Sequence, residues 1–172
     1  TVTLDSPFVT TVDHTKGTVD LAIELDRQSS ASLSGELTVS FTPKNFTGTS
    51  SYFTQTISAG AVDSTTLRYR CDIPDFKLWW PGGCGEQNLY LMKVTFKAND
   101  GTVSYYEGSF GIRTLDYKAF PAGESQSTYN RVIVINGKDI YMKGAGWCTL
   151  DSMMEFSREA YDRMLSRARD AG

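Results

Sequence analysis

The stretch GTVDLAIELD, residues 17–26, carries Val19, Leu21, Ile23 and Leu25 at strict alternation. A period of two places all four side chains on one face of a β-strand and leaves the other face to water, a segregation that the helical period cannot produce. The pattern recurs along the chain. GELTVSF aligns Leu37, Val39 and Phe41, and YFTQTIS aligns Phe53 and Ile57. TTLRYRCDI sets Leu67, Tyr69, Cys71 and Ile73 opposite Arg68, Arg70 and Asp72. NLYLMKVTF groups Tyr90, Met92, Val94 and Phe96, and TVSYYEGSFGI contributes Tyr106, Phe110 and Ile112. The NDG between these last two, residues 99–101, is a hairpin signal because Asp and Gly tolerate positive φ. With SPFVTTVD as the first segment, seven short strands lie within residues 1–116. Such a succession predicts an all-β domain, a two-sheet sandwich of immunoglobulin type. The Cys…Trp…Cys spacing of antibody domains is missing, so no inter-sheet disulfide is expected.

The pattern then changes. Residues 117–130 are polar and contain Pro, Gly and Ser, which reads as a linker. RVIVINGKDIYMKG consists of two apolar runs around Asn136-Gly137 and predicts a tight type I′ hairpin. FSREAYDRMLSRARDAG predicts a helix capped by Ser157, with Tyr161, Met164, Leu165 and Ala168 as its apolar stripe and Gly172 at C′. A hairpin, a short strand and a helix within residues 131–172 cannot bury both their faces, so they read as the first piece of a second domain.

Composition limits the functions open to the chain. A hydrophobic share of 40% with 22% charged residues is that of a folding globular protein. A formal charge of -3 without a basic run argues against a nucleic-acid partner. No apolar run approaches the roughly 20 residues of a membrane span. The opening TVTLDSPFV lacks the regions of a secretory leader, but cleavage could have removed one, so the compartment stays open, with a periplasmic or secreted location preferred to a cytoplasmic one. Cys71, Cys84 and Cys148 are irregularly spaced and predict free, mostly packed thiols. The single histidine, His14, reads as a surface residue, and no metal site or other cofactor is expected.

Four features could carry chemistry. In LWWPGGCGEQNLY, Trp79 and Trp80 could stack on sugar rings, but bulky aromatics where a strand leaves a sandwich more often plug the open end of the core. Arg113, in FGIRT, could meet a carboxylate such as Glu86 or Asp116. The sequon NFT at Asn45 has meaning only in a glycosylating compartment. In KGAGWCTLD, small residues would let the backbone pass close to a ligand, while Trp147 offers a stacking surface and Asp151 accepts hydroxyl hydrogen bonds. A turn in which Asp151 or Ser152 caps a short helical piece accounts for the same residues equally well.

Taken in order, LWWPGGCGEQNLY, SFGIRT, VINGKDIYMKGAGW with Asp151, and a helix ending ARDAG resemble glycoside hydrolase family 2, the β-galactosidase, β-glucuronidase and β-mannosidase group. The resemblance implies an immunoglobulin-like sandwich between an N-terminal sugar-binding-like domain and a (β/α)8 barrel. This chain would then hold the sandwich and the start of a truncated barrel, its hairpin, first strand and first helix. Where β-galactosidases lead into a His-containing motif this chain has GWCTLD, which looks closer to the β-mannosidase and exo-β-glucosaminidase branches. The family's chemistry is retaining hydrolysis by two glutamates about 5–5.5 Å apart. None of Glu86, Glu107, Glu124, Glu155 or Glu159 sits in a matching motif, so no catalytic residue is assigned. Trp147 and Asp151 are the candidates for substrate contact. The implied partners are the barrel and N-terminal domain of a longer polypeptide and its glycoside substrate, and the chain alone is expected to hydrolyse nothing. Two rival readings are a freestanding carbohydrate-binding or adhesive module, which needs exposed Trp79, Trp80 and Trp147, and a purely structural spacer.

Overall fold

The computed structural model describes residues 2–27, 33–58, 64–119, 131–144, 146, 148, 153 and 157–171. The chain divides into two compact units, Thr1–Tyr141 and Met142–Gly172.

In the first unit, seven antiparallel strands form the expected sandwich: β1 (Val2–Asp13), β2 (Thr18–Arg27), β3 (Ser34–Pro43), β4 (Ser51–Ser58), β5 (Ser64–Asp72), β6 (Tyr90–Ala98) and β7 (Val103–Phe110). One sheet has the order β1-β2-β5 and the other β4-β3-β6-β7. The alternating residues meet in the middle: Val19, Leu21, Ile23 and Leu25 of β2 share a single core with Leu37, Val39 and Phe41 of β3 and with Tyr90, Met92, Val94 and Phe96 of β6. Ring contacts extend that core, with Phe41 edge-on to Phe110 and Tyr90 stacked on Phe110, both at 5.6 Å between centroids. The Ser104 hydroxyl donates to the Val2 carbonyl and ties β7 to β1 of the other sheet.

Strand β1 begins at Val2, earlier than the alternation indicates, because its register shifts between Asp5 and Phe8. A bulge of this kind inserts an extra residue and breaks the period of two. The turn after β6 also differs in detail. Gly101 takes a φ of 88° while Asp100 stays on the negative side. Ala98 accepts from the Gly101 N–H at 2.9 Å and donates to the Thr102 carbonyl at 2.8 Å, the pattern of a three-residue loop with a glycine bulge.

On the solvent face of the β1-β2-β5 sheet, Arg70 donates to both Asp20 oxygens at 2.7 and 2.8 Å. Hydrogen bonding to Arg70 holds the Asp20 carboxyl below the usual carboxylate range; desolvation opposes it, and the charges of Arg70 and Arg68 add to it. A depressed carboxyl contributes stability above the unfolded pKa and loses it as pH falls through the folded value. Acidification from pH 7 to 3 should therefore lower the urea midpoint less for D20N than for the wild type. Because the pair is solvent-exposed, the difference should shrink at 1 M salt.

The linker expected at residues 117–130 overlaps a strand at its start. Residues 117–119 belong to a strand, β8 (Leu115–Ala119), which pairs with β9 (Arg131–Ile135), and β9 pairs with β10 (Lys138–Ile140). Residues 120–130 lie outside the described residues. The β9–β10 hairpin therefore belongs with the sandwich unit and not with the residues that follow it. The reason is physical: an isolated two-stranded hairpin is marginal in water, and β8 supplies a third strand.

The second unit contains one described element, helix α1 (Arg158–Asp170). Ser157 caps it as expected, its hydroxyl accepting from the Ala160 N–H at 3.2 Å. Arg167 and Arg169 fall in the last turn, where cations complement the helix dipole. The chain ends the helix through Ala171, and Gly172 lies outside the described residues. No residue of the helix is buried, and Met164 and Leu165 of the predicted stripe are 40% and 53% exposed. Among the described residues no helix is long and apolar enough to cross a membrane.

Candidate functional site

Trp147 and Asp151, the candidate sugar contacts, lie outside the described residues; of their neighbours, Gly146 and Cys148 are exposed. The other candidates gather at one end of the sandwich, around the segment that joins β5 to β6.

This segment is held to the sandwich at several points. The Lys77 N–H donates to the Tyr90 hydroxyl at 2.8 Å, and the buried Asn88 amide donates to the Leu78 carbonyl at 3.0 Å. Asn45 grips its far side, accepting from the Leu89 N–H and donating to the Gln87 carbonyl, both at 2.8 Å. The sequon asparagine thus has a structural task. Trp79 donates its backbone N–H to the Ile112 carbonyl at 2.9 Å and Trp80 to the Glu86 carbonyl at 3.0 Å, so the segment is anchored both to the end of β7 and to itself.

Both tryptophans are half-buried, and a cation covers each. The Arg113 guanidinium lies 4.6 Å from the Trp79 ring and Lys138 Nζ 5.2 Å from the Trp80 ring. Arg113 is thus stacked on an aromatic face and makes no salt bridge to Glu86 or Asp116 among the described residues. Each contact is worth roughly 0.5–1 kcal/mol at a partly exposed site. These rings do not form an open stacking platform, which weighs against the freestanding sugar-binding reading.

The hairpin joins this end through Asn136, a turn residue that is nevertheless only 6% exposed. Its Oδ1 accepts from the Thr114 N–H at 3.0 Å, and its Nδ2 donates to the Trp79 carbonyl at 3.0 Å. Its own N–H donates to the Thr114 carbonyl at 3.2 Å. A buried polar group left without its partner costs about 1–3 kcal/mol, so one carboxamide here satisfies two otherwise exposed liabilities. Asn136 and Gly137 take φ values of 50° and 75°, as a type I′ turn requires.

His14, read from the sequence as a surface residue, is half-buried and engaged. Its Nδ1 lies 2.9 Å from the Thr114 hydroxyl in a part-buried contact, linking the β1–β2 turn to the same junction. The cysteines are free, as expected, but Cys84 and Cys148 are exposed and only Cys71 is partly packed. Burial first, and then the charges of Asp72 and Asp20, push the Cys71 thiol up. Cys84 is exposed because it sits in a glycine-rich turn outside any strand. No cluster of three metal-ligating side chains occurs among the described residues.

The model of glycosyl hydrolases family 2 matches residues 2–113, the whole seven-strand sandwich. The chain belongs to this family. Among relatives of this family 2 chain, β-mannosidase B of Emericella nidulans is 28% identical over 151 residues, covering 83% of the chain and 16% of that protein. The mannosylglycoprotein endo-β-mannosidase of Lilium longiflorum is 27% identical over 85 residues, 49% of the chain and 8% of that protein. Among solved structures, the β-D-mannosidase of Dictyoglomus thermophilum superposes with a TM-score of 0.72 at 26% identity, covering 99% of this chain and 20% of that one. The exo-chitosanase CsxA of Amycolatopsis orientalis shares the fold, with a TM-score of 0.62 at 22% identity over 96% of this chain and 18% of its own. The family 2 chain therefore spans no more than about a fifth of the length of these proteins.

Proposed function

We propose that this chain is the immunoglobulin-like portion of a retaining exo-β-glycosidase of the β-mannosidase or exo-β-glucosaminidase branch. Its role is to position a (β/α)8 catalytic barrel whose first elements follow the hairpin. The observation that carries this reading is the alignment with β-mannosidase B, which covers 83% of the chain, more than the sandwich alone. In this reading residues 142–171 contribute the first barrel strand and helix, and the exposed stripe of α1 packs against the rest of the barrel. Trp147 and Asp151 stand at the C-terminal end of that strand, where barrel active sites form. The two carboxyl groups of the reaction come from other strands, and the sandwich contributes no reacting group.

A kinetic comparison on the longer polypeptide tests the branch. Its kcat/KM should be highest on an aryl-β-mannoside or aryl-β-glucosaminide, and W147A and D151A should each lower it. A preference for an aryl-β-galactoside, or full activity in both variants, would contradict the reading.

A further inference from the structure

We infer that Asn136 is a positioning residue, a side chain through which the sandwich end fixes the orientation of the β9–β10 hairpin from which the chain continues. The inference rests on the proposed function for its consequence but not for its geometry. Residues in a two-residue hairpin turn usually face water. Asn136 is buried instead, and its carboxamide is divided between two separate parts of the sandwich end: Thr114, between β7 and β8, and Trp79, between β5 and β6. The adjoining contacts converge on the same two segments. Lys138 covers Trp80, Arg113 covers Trp79, and His14 meets the Thr114 side chain. Strand β10 ends at Ile140, four residues beyond Asn136, and the sandwich unit ends at Tyr141.

The turn and the lock make different demands on the residue. A type I′ turn needs only a residue that tolerates positive φ, and glycine does so best. The lock needs a donor and an acceptor on one short side chain. The substitution N136G therefore keeps the turn and deletes the lock, while N136D keeps the acceptor for the Thr114 N–H and deletes the donor to Trp79.

Hydrogen exchange on this 172-residue chain gives the first readout. In N136G the Thr114 amide should exchange at least about tenfold faster, as follows when a part-buried hydrogen bond is released to local opening, while Leu37 and Val94 in the core keep their protection. In N136D the Thr114 amide should stay protected. The second readout is catalysis by the longer polypeptide, where N136G should lower kcat by roughly ten- to a hundredfold with KM little changed, the signature of misplaced reacting groups. Unchanged Thr114 exchange in N136G would overturn the inference, and so would faster exchange with unchanged kcat. If the longer polypeptide cleaves no aryl glycoside at all, the proposed function fails, and the exchange experiment alone decides whether the lock exists.

Discussion

Replacing Phe96 by alanine should destabilise the sandwich by about 3–5 kcal/mol, the range for removing a buried aromatic ring from a packed core. Domains of this size are stable by about 5–15 kcal/mol, so the change would consume a large part of the total. Phe96 is completely buried in β6, and in the β3–β6 register it stands opposite Leu37 and two pairs away from Gly35↔Ala98. Its ring reaches across to Gly35, where a β-carbon would stand 2.9 Å from Phe96 Cζ. The same β-carbon would lie 2.3 Å from the Lys97 carbonyl oxygen and 2.8 Å from the Ala98 Cα. Gly35 therefore lets two strand backbones approach while the phenyl ring fills the space its missing side chain leaves. Two expectations follow for urea unfolding. F96A lowers the midpoint without changing the slope, and G35A is also strongly destabilising. The double variant does not recover, because the tightest overlap at Gly35 is with backbone that no side-chain truncation removes. Recovery of stability in the double variant would show that the ring, and not the strand backbone, sets the limit.

The sandwich was readable from the sequence because burial in antiparallel strands repeats every second residue, and the seven alternating segments became seven strands. Local turn chemistry was equally visible: Asn136-Gly137 forms the predicted tight hairpin, and Ser157 caps the predicted helix. What escaped were features that depend on distant partners. Strand β8 shows no alternation, since all five of its residues are exposed, and it is a strand only because β9 pairs with it. The contact of His14 with Thr114 spans 100 residues, and the Asn136–Trp79 bond spans 57. No local pattern announces either. The charge of Arg113 allowed a carboxylate partner, but the guanidinium plane found an aromatic face brought near by the fold. For Asn136 a signal was present but incomplete: the Asn-Gly pair announced the turn, and nothing nearby indicated that its amide would be buried. The order of the motifs between Leu78 and Gly172 pointed to the family, which the match over residues 2–113 bears out, taking in LWWPGGCGEQNLY and all but the last residue of SFGIRT.

In the proposed function the sandwich has a supporting role and the reacting carboxyl groups lie elsewhere in the polypeptide. Enzymes accelerate their reactions by about a million-fold or more, so the presence or absence of the catalytic groups is an all-or-none difference in an assay. Binding through half-buried, cation-covered tryptophans is likewise not expected. The most direct measurement is hydrolysis of an aryl-β-mannoside and an aryl-β-glucosaminide by the 172-residue chain and by the longer polypeptide, at equal concentration and under the same conditions. Release of the aryl alcohol by the longer polypeptide only is expected, with the isolated chain indistinguishable from buffer. Turnover by the isolated chain, abolished by a substitution within it, would contradict the account.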